Sequence, residues 1–301
     1  MDAVIQKLSW FGFKARRFFK EIGQNAITFT TRMSLPSGGY FRMQRANVML
    51  AKYDPVQVGY LSEKCISVDE DDQIIGEVTK MDAHRVETLG LHRAFSLFAF
   101  TPDKKLILQK RSATKLSRLM LTLLNSIISR IIIRISLMES EEPVLRGICT
   151  ITFPCLWANT CCSHPLFTAG ERTGATGVIS AVVRKIEHEL GFVDLEPKEC
   201  HVMGRFLYNA VEADSLWGEH ELDYAVVTRN VPLDRLVPNP QEVSDIRAVD
   251  EKELADWIAS ESPSFSPWFR LFYRLRFLSE WWSNIDHIEN LPVDMSIIRM
   301  T

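Results

Sequence analysis

The 301-residue sequence lacks the features that mark secreted, nucleic-acid-binding or membrane-spanning proteins. Its six cysteines form no pair of C-x-x-C units, which argues against a structural zinc knuckle and favours free thiols in a reducing compartment. No uninterrupted apolar stretch of the secretory type stands near the start, and there is no internal repeat. The formal net charge of −3 gives no reason to expect a nucleic acid partner. A hydrophobic content of 46% is ordinary for a globular chain with an ample core.

Residues 1–57 follow a different pattern from the rest of the chain and are interpreted as an N-terminal extension. Basic and aromatic side chains alternate here: Lys7, Trp10, Phe11, Phe13, Lys14, Arg16, Arg17, Phe18, Phe19 and Lys20. Such a pattern is typical of an amphipathic, arginine-bearing organelle presequence, although Asp2 and Glu21 count against it. The alternative is a poorly ordered extension, with Met33 as the true start.

From residue 58 to the end, apolar periodicity predicts one mixed α/β domain. Strands are predicted at 65–68, 74–75, 91–100, 106–111, 200–211 and 221–228, with the first two and the next two forming antiparallel pairs. Helices are predicted at 176–190, ended by Gly191, at 251–258, capped by Asp250, and from Pro267 onward. The aromatic residues of the last helix are expected to pack in the core, with Trp268 as the exception.

Two short stretches combine residues that could carry chemistry. Cys162 and His164 lie two residues apart beside Pro165, and in an extended backbone both would point to the same side. Glu219 and Glu221 are spaced in the same way, and two adjacent carboxylates repel unless a metal or a proton lies between them. The plain structural alternatives are a pair of small buried cysteines and a solvated strand end.

Further histidines suggest a metal site near these stretches. The candidate ligands are His84, His92, His164, Glu219 and Glu221. Imidazole and carboxylate ligands suit zinc, manganese or iron, and five protein ligands favour an octahedral ion. Glu189, near the end of the central helix, is a further acidic position. The basic residues that could bind a diphosphate are Lys80, Arg111, Lys115 and Lys185.

Six motifs, in the order of the chain, resemble those of type I isopentenyl-diphosphate isomerases. They are Leu91–Ser96, Gln109–Lys115, Thr152–Pro154, Trp157–Pro165, Trp217–Tyr224 and Ser266–Phe269. The resemblance runs from about residue 58 to the end and leaves out residues 116–150. It implies a Nudix-type α/β/α sandwich with a mixed sheet and a C-terminal helical cap.

The same resemblance implies an enzyme that interconverts isopentenyl diphosphate and dimethylallyl diphosphate in isoprenoid and sterol biosynthesis. A proton is added at one carbon and removed from another, through a tertiary carbocation. The expected partner is this small isoprenoid diphosphate, with no nucleic acid, no integral membrane span and a monomeric chain. The expected compartment is the cytoplasm, with the mitochondrion and the peroxisome as alternatives.

The resemblance also implies residue roles. Cys162 and Glu221 would form the acid/base pair, and Tyr208 would hydrogen-bond to the glutamate and help deliver the proton. Glu189 would help hold a Mg²⁺ ion that meets the substrate diphosphate, and Trp268 would close over the hydrocarbon. A second divalent ion, Zn²⁺ or Mn²⁺, would be held by His84, His92, His164, Glu219 and Glu221. The diphosphate would be bound by Lys80, Arg111, Lys115 and Lys185.

The sequence departs from the family pattern at three places. Lys185 stands where some members carry arginine, so the compact charge of an ammonium group replaces a planar guanidinium that can form two parallel hydrogen bonds. The segment between Tyr208 and Glu219 is one residue longer than expected, which would shift the tyrosine. Residues 116–150 have no counterpart, and we interpret them either as a translated, unspliced intron or as an insertion that lies on a membrane surface.

Two other functions stay open at this point. A Nudix diphosphohydrolase would carry several glutamates on the central helix, but Thr176, Lys185 and His188 stand at three of those positions. Of that set only Glu189 remains, which argues against hydrolysis. An inactive scaffold that keeps the fold without the activity is supported only by the insertion at 116–150.

Overall fold

The computed structural model describes residues 59–112, 152–211, 216–260 and 265–300 of the chain. These residues fall within a compact unit that spans Lys52–Thr301. The predicted N-terminal extension at 1–57, Lys115 and the insertion at 116–150 lie outside the described residues.

Ten strands form two sheets in the described part of the chain. They are β1 (Lys64–Val68), β2 (Ile74–Thr79), β3 (His92–Ala99), β4 (Leu106–Arg111), β5 (Trp157–Ala158), β6 (Cys161–Ser163), β7 (His201–Val211), β8 (Gly218–Thr228), β9 (Val243–Val249) and β10 (Ile297–Arg299). The larger sheet has the order β10-β7-β8-β3-β1-β2, with β6 also paired to β3, and the smaller has the order β5-β4-β9. Strands β3 and β8 run parallel while β7 and β8 run antiparallel, so the larger sheet is mixed.

Five α-helices accompany these sheets within the described ranges. They are α1 (Lys80–His84), α2 (Gly174–Leu190), α3 (Glu251–Ala259), α4 (Pro267–Arg274) and α5 (Phe277–Asn284). Helix α2 packs on one face of the larger sheet, and α4 and α5 pack on the other. Helices on both faces of a mixed sheet make the architecture an α/β/α sandwich, as expected.

Alternation along β3 separates the two hydrophobic cores. Phe95 and Leu97 pack with Val178 of α2 on one face, whereas Phe98 packs with the C-terminal helices on the other. Side chains two residues apart on a strand share a face. His92, which is six residues before Phe98, therefore lies on the side of the sheet that faces α4 and α5.

Several predicted elements are confirmed. The β1–β2 hairpin, the long strand β3 and the central helix α2 occupy the expected segments. Gly191 ends α2 in the left-handed conformation, with φ of 64°. Asp250 caps α3 by accepting a hydrogen bond from the Glu253 amide.

The predicted pairing of β4 with β3 is wrong. A single bridge between Phe100 and Leu106 joins the end of β3 to the start of β4, and β4 then pairs with β5 and β9 in the smaller sheet. The reason is that both edges of β3 are occupied, by β8 on one side and by β6 and β1 on the other. The short strands β5, β6 and β10, strand β9 and helix α1 were not predicted.

The last predicted helix is two helices, α4 and α5. The chain breaks between them at Arg276, which adopts a left-handed φ of 67°. Phe272 and Trp281 lie in contact, with ring centroids 5.8 Å apart. Nine residues of continuous helix would separate them by about 13.5 Å along the axis. The break therefore allows both aromatic rings to reach the same core.

Asp72 ties the turn between β1 and β2 to three other strands. Its carboxylate accepts hydrogen bonds from Arg93 Nε at 2.8 Å, from Arg205 Nη1 at 3.3 Å and from Tyr224 Oη. Asp72, Arg93 and Tyr224 are buried. Because Arg93 directly follows His92, this charged cluster holds β3 from the face opposite to the one that His92 occupies.

Candidate active site and metal centre

A pocket of about 790 Å³, including its open mouth, is lined by residues of α1, α2, α4, β6 and β8. The sequence-predicted site residues in its wall are Lys80, His84, Arg111, Cys162, His164, Lys185, Glu189, Tyr208, Glu219, Glu221 and Trp268. His92 lies directly behind this wall, next to His84 and His164. The fold thus brings together every candidate site residue that falls within the described ranges.

Five buried side chains converge at one side of the pocket: His84, His92, His164, Glu219 and Glu221. One ligand atom from each lies within 4.8 Å of every other. Ligands at about 2.1 Å from a zinc-sized ion would be at most about 4.2 Å apart. A small inward adjustment would therefore bring all five to a single ion, and the predicted convergence is confirmed.

Backbone carbonyls orient two of these histidines. His84 Nδ1 lies 2.7 Å from the Lys80 carbonyl oxygen, and His92 Nδ1 lies 2.8 Å from that of Gly90. A carbonyl oxygen can only accept, so each ring carries a proton on Nδ1 and turns Nε2 toward the cluster, where an unprotonated Nε2 can offer its lone pair to a metal ion. His92 Nε2 is buried without a hydrogen-bond partner, which a metal ion would satisfy. The residues present therefore fit a divalent cation. His84 was expected in a loop and instead ends helix α1.

The two carboxyl groups of the cluster differ in their proton affinity. Burial raises the pKa of Glu221 well above its usual range, and the neighbouring Glu219 charge raises it further. Burial acts in the same direction on Glu219, but His84, whose Nε2 lies 3.1 Å from the carboxylate, lowers the pKa of that group overall. A carboxyl with a raised pKa thus lies beside one with a lowered pKa, an arrangement that suits acid catalysis.

Tyr208 lies directly opposite Glu221 in the antiparallel pair of β7 and β8. Its hydroxyl donates a hydrogen bond of 2.6 Å to Glu221 Oε2, while His164 Nε2 lies 2.8 Å from the other oxygen. The strand register sets this contact. The expected shift of Tyr208, inferred from the longer segment before Glu219, is therefore wrong.

Arg111 faces the thiol on the other side of the pocket. Its Nη1 donates to Cys162 Sγ at 3.2 Å, and its Nη2 donates to the Thr152 carbonyl oxygen at 3.1 Å. Burial raises the pKa of Cys162 to about 12, and the Arg111 charge opposes that rise. The pocket therefore presents a sulfur beside a fixed cation and, from a different strand, a phenol hydrogen-bonded to a carboxyl.

Lys185 and Glu189 lie one turn apart on α2 and form a buried ion pair in the pocket wall. Lys185 Nζ lies 3.1 Å from Glu189 Oε1, and Gln109 Nε2 donates to the other oxygen at 3.2 Å. Burial disfavours the charge of Lys185, but Glu189 outweighs that effect and raises the lysine pKa. With Lys80 nearby, these groups suit a diphosphate accompanied by a divalent cation.

Trp268 differs in position from the other aromatic residues of α4 and α5. It lines the pocket, and its Nε1 donates to Asn159 Oδ1 at 2.9 Å. The Arg111 guanidinium carbon lies 5.5 Å from the centre of the Trp268 ring. Trp268 is nevertheless buried in the same core as Phe272 and Trp281, so the expectation that it would be an exception to core packing is wrong.

Sequence reasoning missed several polar residues of the site. Gln109 orients Glu189, and Ser96, in the pocket wall, pairs with Cys162 across β3 and β6. The Ser96 hydroxyl donates to the buried Asp223 at 2.7 Å. Strand alternation could have indicated Gln109 and Asp223 as site residues. Gln109 lies two residues before Arg111 and Asp223 lies two residues after Glu221, so each shares a strand face with a predicted site residue.

Named proteins with similar sequences share one activity. Chloroplastic isopentenyl-diphosphate Delta-isomerase I of Arabidopsis thaliana is 37% identical over 254 residues, which cover 79% of this chain and 72% of that protein. Isopentenyl-diphosphate Delta-isomerase 1 of Mesocricetus auratus is 34% identical over 82% of this chain and 96% of its own length. The chain belongs to the isopentenyl-diphosphate delta-isomerase family. The enzyme of Phaffia rhodozyma, at 36% identity over 245 residues, covers 78% of the chain and 82% of the relative.

Solved structures show weaker likenesses to this isomerase-family chain. A protein from Deinococcus radiodurans has 16% identity and a TM-score of 0.42 over 70% of this chain and 98% of its own. A Nudix hydrolase from M. smegmatis has 16% identity and a TM-score of 0.31 over 62% of this chain and 85% of its own. No family model matches the chain.

Membership of the isomerase family agrees with the composition of helix α2. A hydrolase would need glutamates where this chain has Lys185 and His188, and the relatives are named isomerases rather than hydrolases. The alternative of a Nudix diphosphohydrolase is therefore disfavoured. Among the described helices, none is long and apolar enough to cross a bilayer.

Proposed function

We propose that the chain interconverts isopentenyl diphosphate and dimethylallyl diphosphate by moving one double bond. The observation that carries this proposal is that the Cys162 thiol and the Tyr208–Glu221 pair enter one pocket from different strands. A double-bond shift needs an acid at one carbon and a base at another. Two proton-transfer groups in one pocket meet that need.

The Tyr208–Glu221 pair would give a proton to the terminal alkene carbon. The positive charge would then rest on the tertiary carbon, where the face of the Trp268 indole can stabilise it. Cys162 Sγ would remove a proton from the adjacent carbon, and the electrons of that C–H bond would form the new double bond. Arg111 favours the thiolate that this step needs, because its charge opposes the effect of burial on the thiol.

Metal ions and basic residues would hold the charged end of the substrate and tune the acid. A Zn²⁺ or Mn²⁺ ion in the five-ligand site would stabilise negative charge on Glu219 and Glu221. Glu189 would hold Mg²⁺ together with the diphosphate. The remaining diphosphate oxygens would be bound by Lys80, Arg111, Lys185 and Lys115. Anchoring at this end supplies binding energy that orients the hydrocarbon.

The proposed cellular setting is isoprenoid and sterol biosynthesis in the cytoplasm, by a monomer. The five cysteines of the described ranges are free thiols, which supports a reducing compartment.

The proposal is tested by incubating the purified chain with labelled isopentenyl diphosphate and divalent cations. We expect the label to appear in dimethylallyl diphosphate, without release of phosphate. Phosphate release without the allylic product would instead support a diphosphohydrolase. Neither product would support an inactive scaffold.

Deletion of residues 116–150 should raise both soluble yield and isomerase activity. Described residues on either side of the insertion are in contact, since Arg111 Nη2 donates to the Thr152 carbonyl oxygen at 3.1 Å and Lys110 pairs with Trp157 between β4 and β5. These contacts join the two sides of the insertion without using residues 116–150. Soluble yield and kcat of the deletion variant, compared with the full chain, give the measurement.

A matched control replaces the same 35 residues by a Gly/Ser segment of equal length. It should behave like the deletion if the insertion contributes nothing to the fold. Loss of both yield and activity on deletion would show that the insertion is part of the fold. A mature transcript that encodes 116–150 and gives an active product would exclude the intron interpretation.

A further inference from the structure

Asn159 joins the strand that carries the thiol to the indole of Trp268. Its Nδ2 donates to the carbonyl oxygens of Leu97 at 3.2 Å and Cys161 at 2.8 Å. Its Oδ1 accepts from Trp268 Nε1 at 2.9 Å. Asn159 is fully buried, so each of these bonds lies out of contact with water.

The orientation of this amide is determined by its neighbours. Backbone carbonyl oxygens can only accept and an indole nitrogen can only donate, so the Asn159 nitrogen must face β3 and β6 and its oxygen must face Trp268. The flipped amide would satisfy none of the three contacts. A buried group left unpaired costs about 1–3 kcal/mol, which strongly favours the observed arrangement.

The same hydrogen bond determines how the indole faces the pocket. The Phe153 ring packs against Trp268 edge to face with centroids 5.7 Å apart, and Arg111 lies 5.5 Å from the ring centre. Rotation of the indole within this space would remove Nε1 from Asn159 and bury an unpaired N–H. At its other end the Asn159 amide holds the carbonyl of Cys161, the residue before Cys162, so the indole and the thiol share one support.

We propose that Asn159 is a positioning residue that sets the angle and separation between the Trp268 ring and the Cys162 thiol. This inference rests on the proposed function, in which ring and sulfur flank the same carbon skeleton. The face of an aromatic ring attracts a cation and its edge does not. The uncharged alkene of the bound substrate gains little from the correct ring angle, whereas the carbocation-like transition state gains more, so a tilted ring lowers kcat more than it raises KM.

The test replaces Trp268 by 3-benzothienylalanine, which keeps the bicyclic shape and has sulfur in place of the N–H. We expect kcat to fall about ten-fold while KM changes less than about two-fold. The affinity for a diphosphate ester that carries a tertiary ammonium at the cationic position should fall by a similar factor. Binding of inorganic diphosphate should not change. The matched control is the same replacement at Trp282, whose Nε1 donates to the Lys104 carbonyl at 2.8 Å, and kcat should not change there.

A second variant tests whether the two groups act together. The effects of Asn159→Leu and of the Trp268 replacement on kcat should not add, because either change removes the same hydrogen bond. The Trp268 replacement decides the question by itself if Asn159→Leu does not fold. Two results would overturn the positioning role, provided that the unmodified chain isomerises its substrate. One is an unchanged kcat and an unchanged affinity for the ammonium ester in the Trp268 variant. The other is full additivity of the effects of the two variants on kcat. An unmodified chain without isomerase activity would overturn the proposed function instead.

Discussion

The substitutions Cys162→Ser and Glu221→Gln will each lower kcat by about 10²–10⁴-fold, the usual cost of losing a positioned acid or base. The serine hydroxyl is a much weaker acid than the thiol, so it would not ionise beside Arg111 to form the base that accepts the substrate proton. Glutamine has no acidic proton to deliver through Tyr208. Binding of the diphosphate should remain measurable, because neither substitution removes any of its proposed contacts, which are Lys80, Arg111, Lys115 and Lys185. Steady-state kinetics and equilibrium binding of substrate separate the two effects.

The control for the thiol is Cys200→Ser. Cys200 is buried close to the short 3₁₀ turn at Pro197–Glu199 and is absent from the pocket wall, so its replacement should leave kcat unchanged. If either site variant keeps more than about a tenth of the activity, the role assigned to that residue is wrong.

The substitution His92→Gln will remove the tightly bound divalent ion and most of the activity. The His92 ring is fully buried with Nε2 aimed into the ligand cluster, so no solvent molecule can readily replace it. Loss of an outer contact to a metal ligand costs about 10–100-fold in affinity or activity, and loss of a ligand itself should cost at least about 100-fold. Elemental analysis of the purified variant and its kcat after metal addition give the measurement.

His220→Gln is the matched control for this prediction. His220 lies between Glu219 and Glu221 on β8, and alternation directs it away from the cluster. We expect this variant to retain the ion and near-normal kcat. Equal metal content in His92→Gln and the unmodified chain would show that the five side chains do not form the ion site.

Strand alternation was sufficient to predict much of the site. The spacing of Glu219 and Glu221 indicates a shared face, and so does that of Cys162 and His164, and in each pair both residues line one pocket. The family resemblance added Tyr208, which no spacing argument connects to Glu221. The strand register of β7 and β8 provides that connection.

Long-range pairing explains what could not be predicted. The apolar pattern of β4 indicates a strand, but its partners depend on which edges of β3 are free, and those edges are taken by distant segments. The contact between Arg111 and Cys162 follows from that placement, so sequence reasoning assigned Arg111 only to the diphosphate. The break at Arg276 was hidden because an unbroken aromatic stripe is equally consistent with one helix or two.

The Asp72 cluster has a consequence for the order in which the protein matures. Arg93 comes from β3, whereas Arg205 and Tyr224 come from the paired strands β7 and β8, which lie far from β3 along the chain, and such long-range contacts close late in folding. Two of these strands, β3 and β8, also carry His92 and Glu221. In a partly formed sheet the metal-ligating side chains would therefore be too far apart to form the ion site. Metal uptake should accordingly follow completion of the sheet, and the ion would lock a finished fold instead of nucleating it.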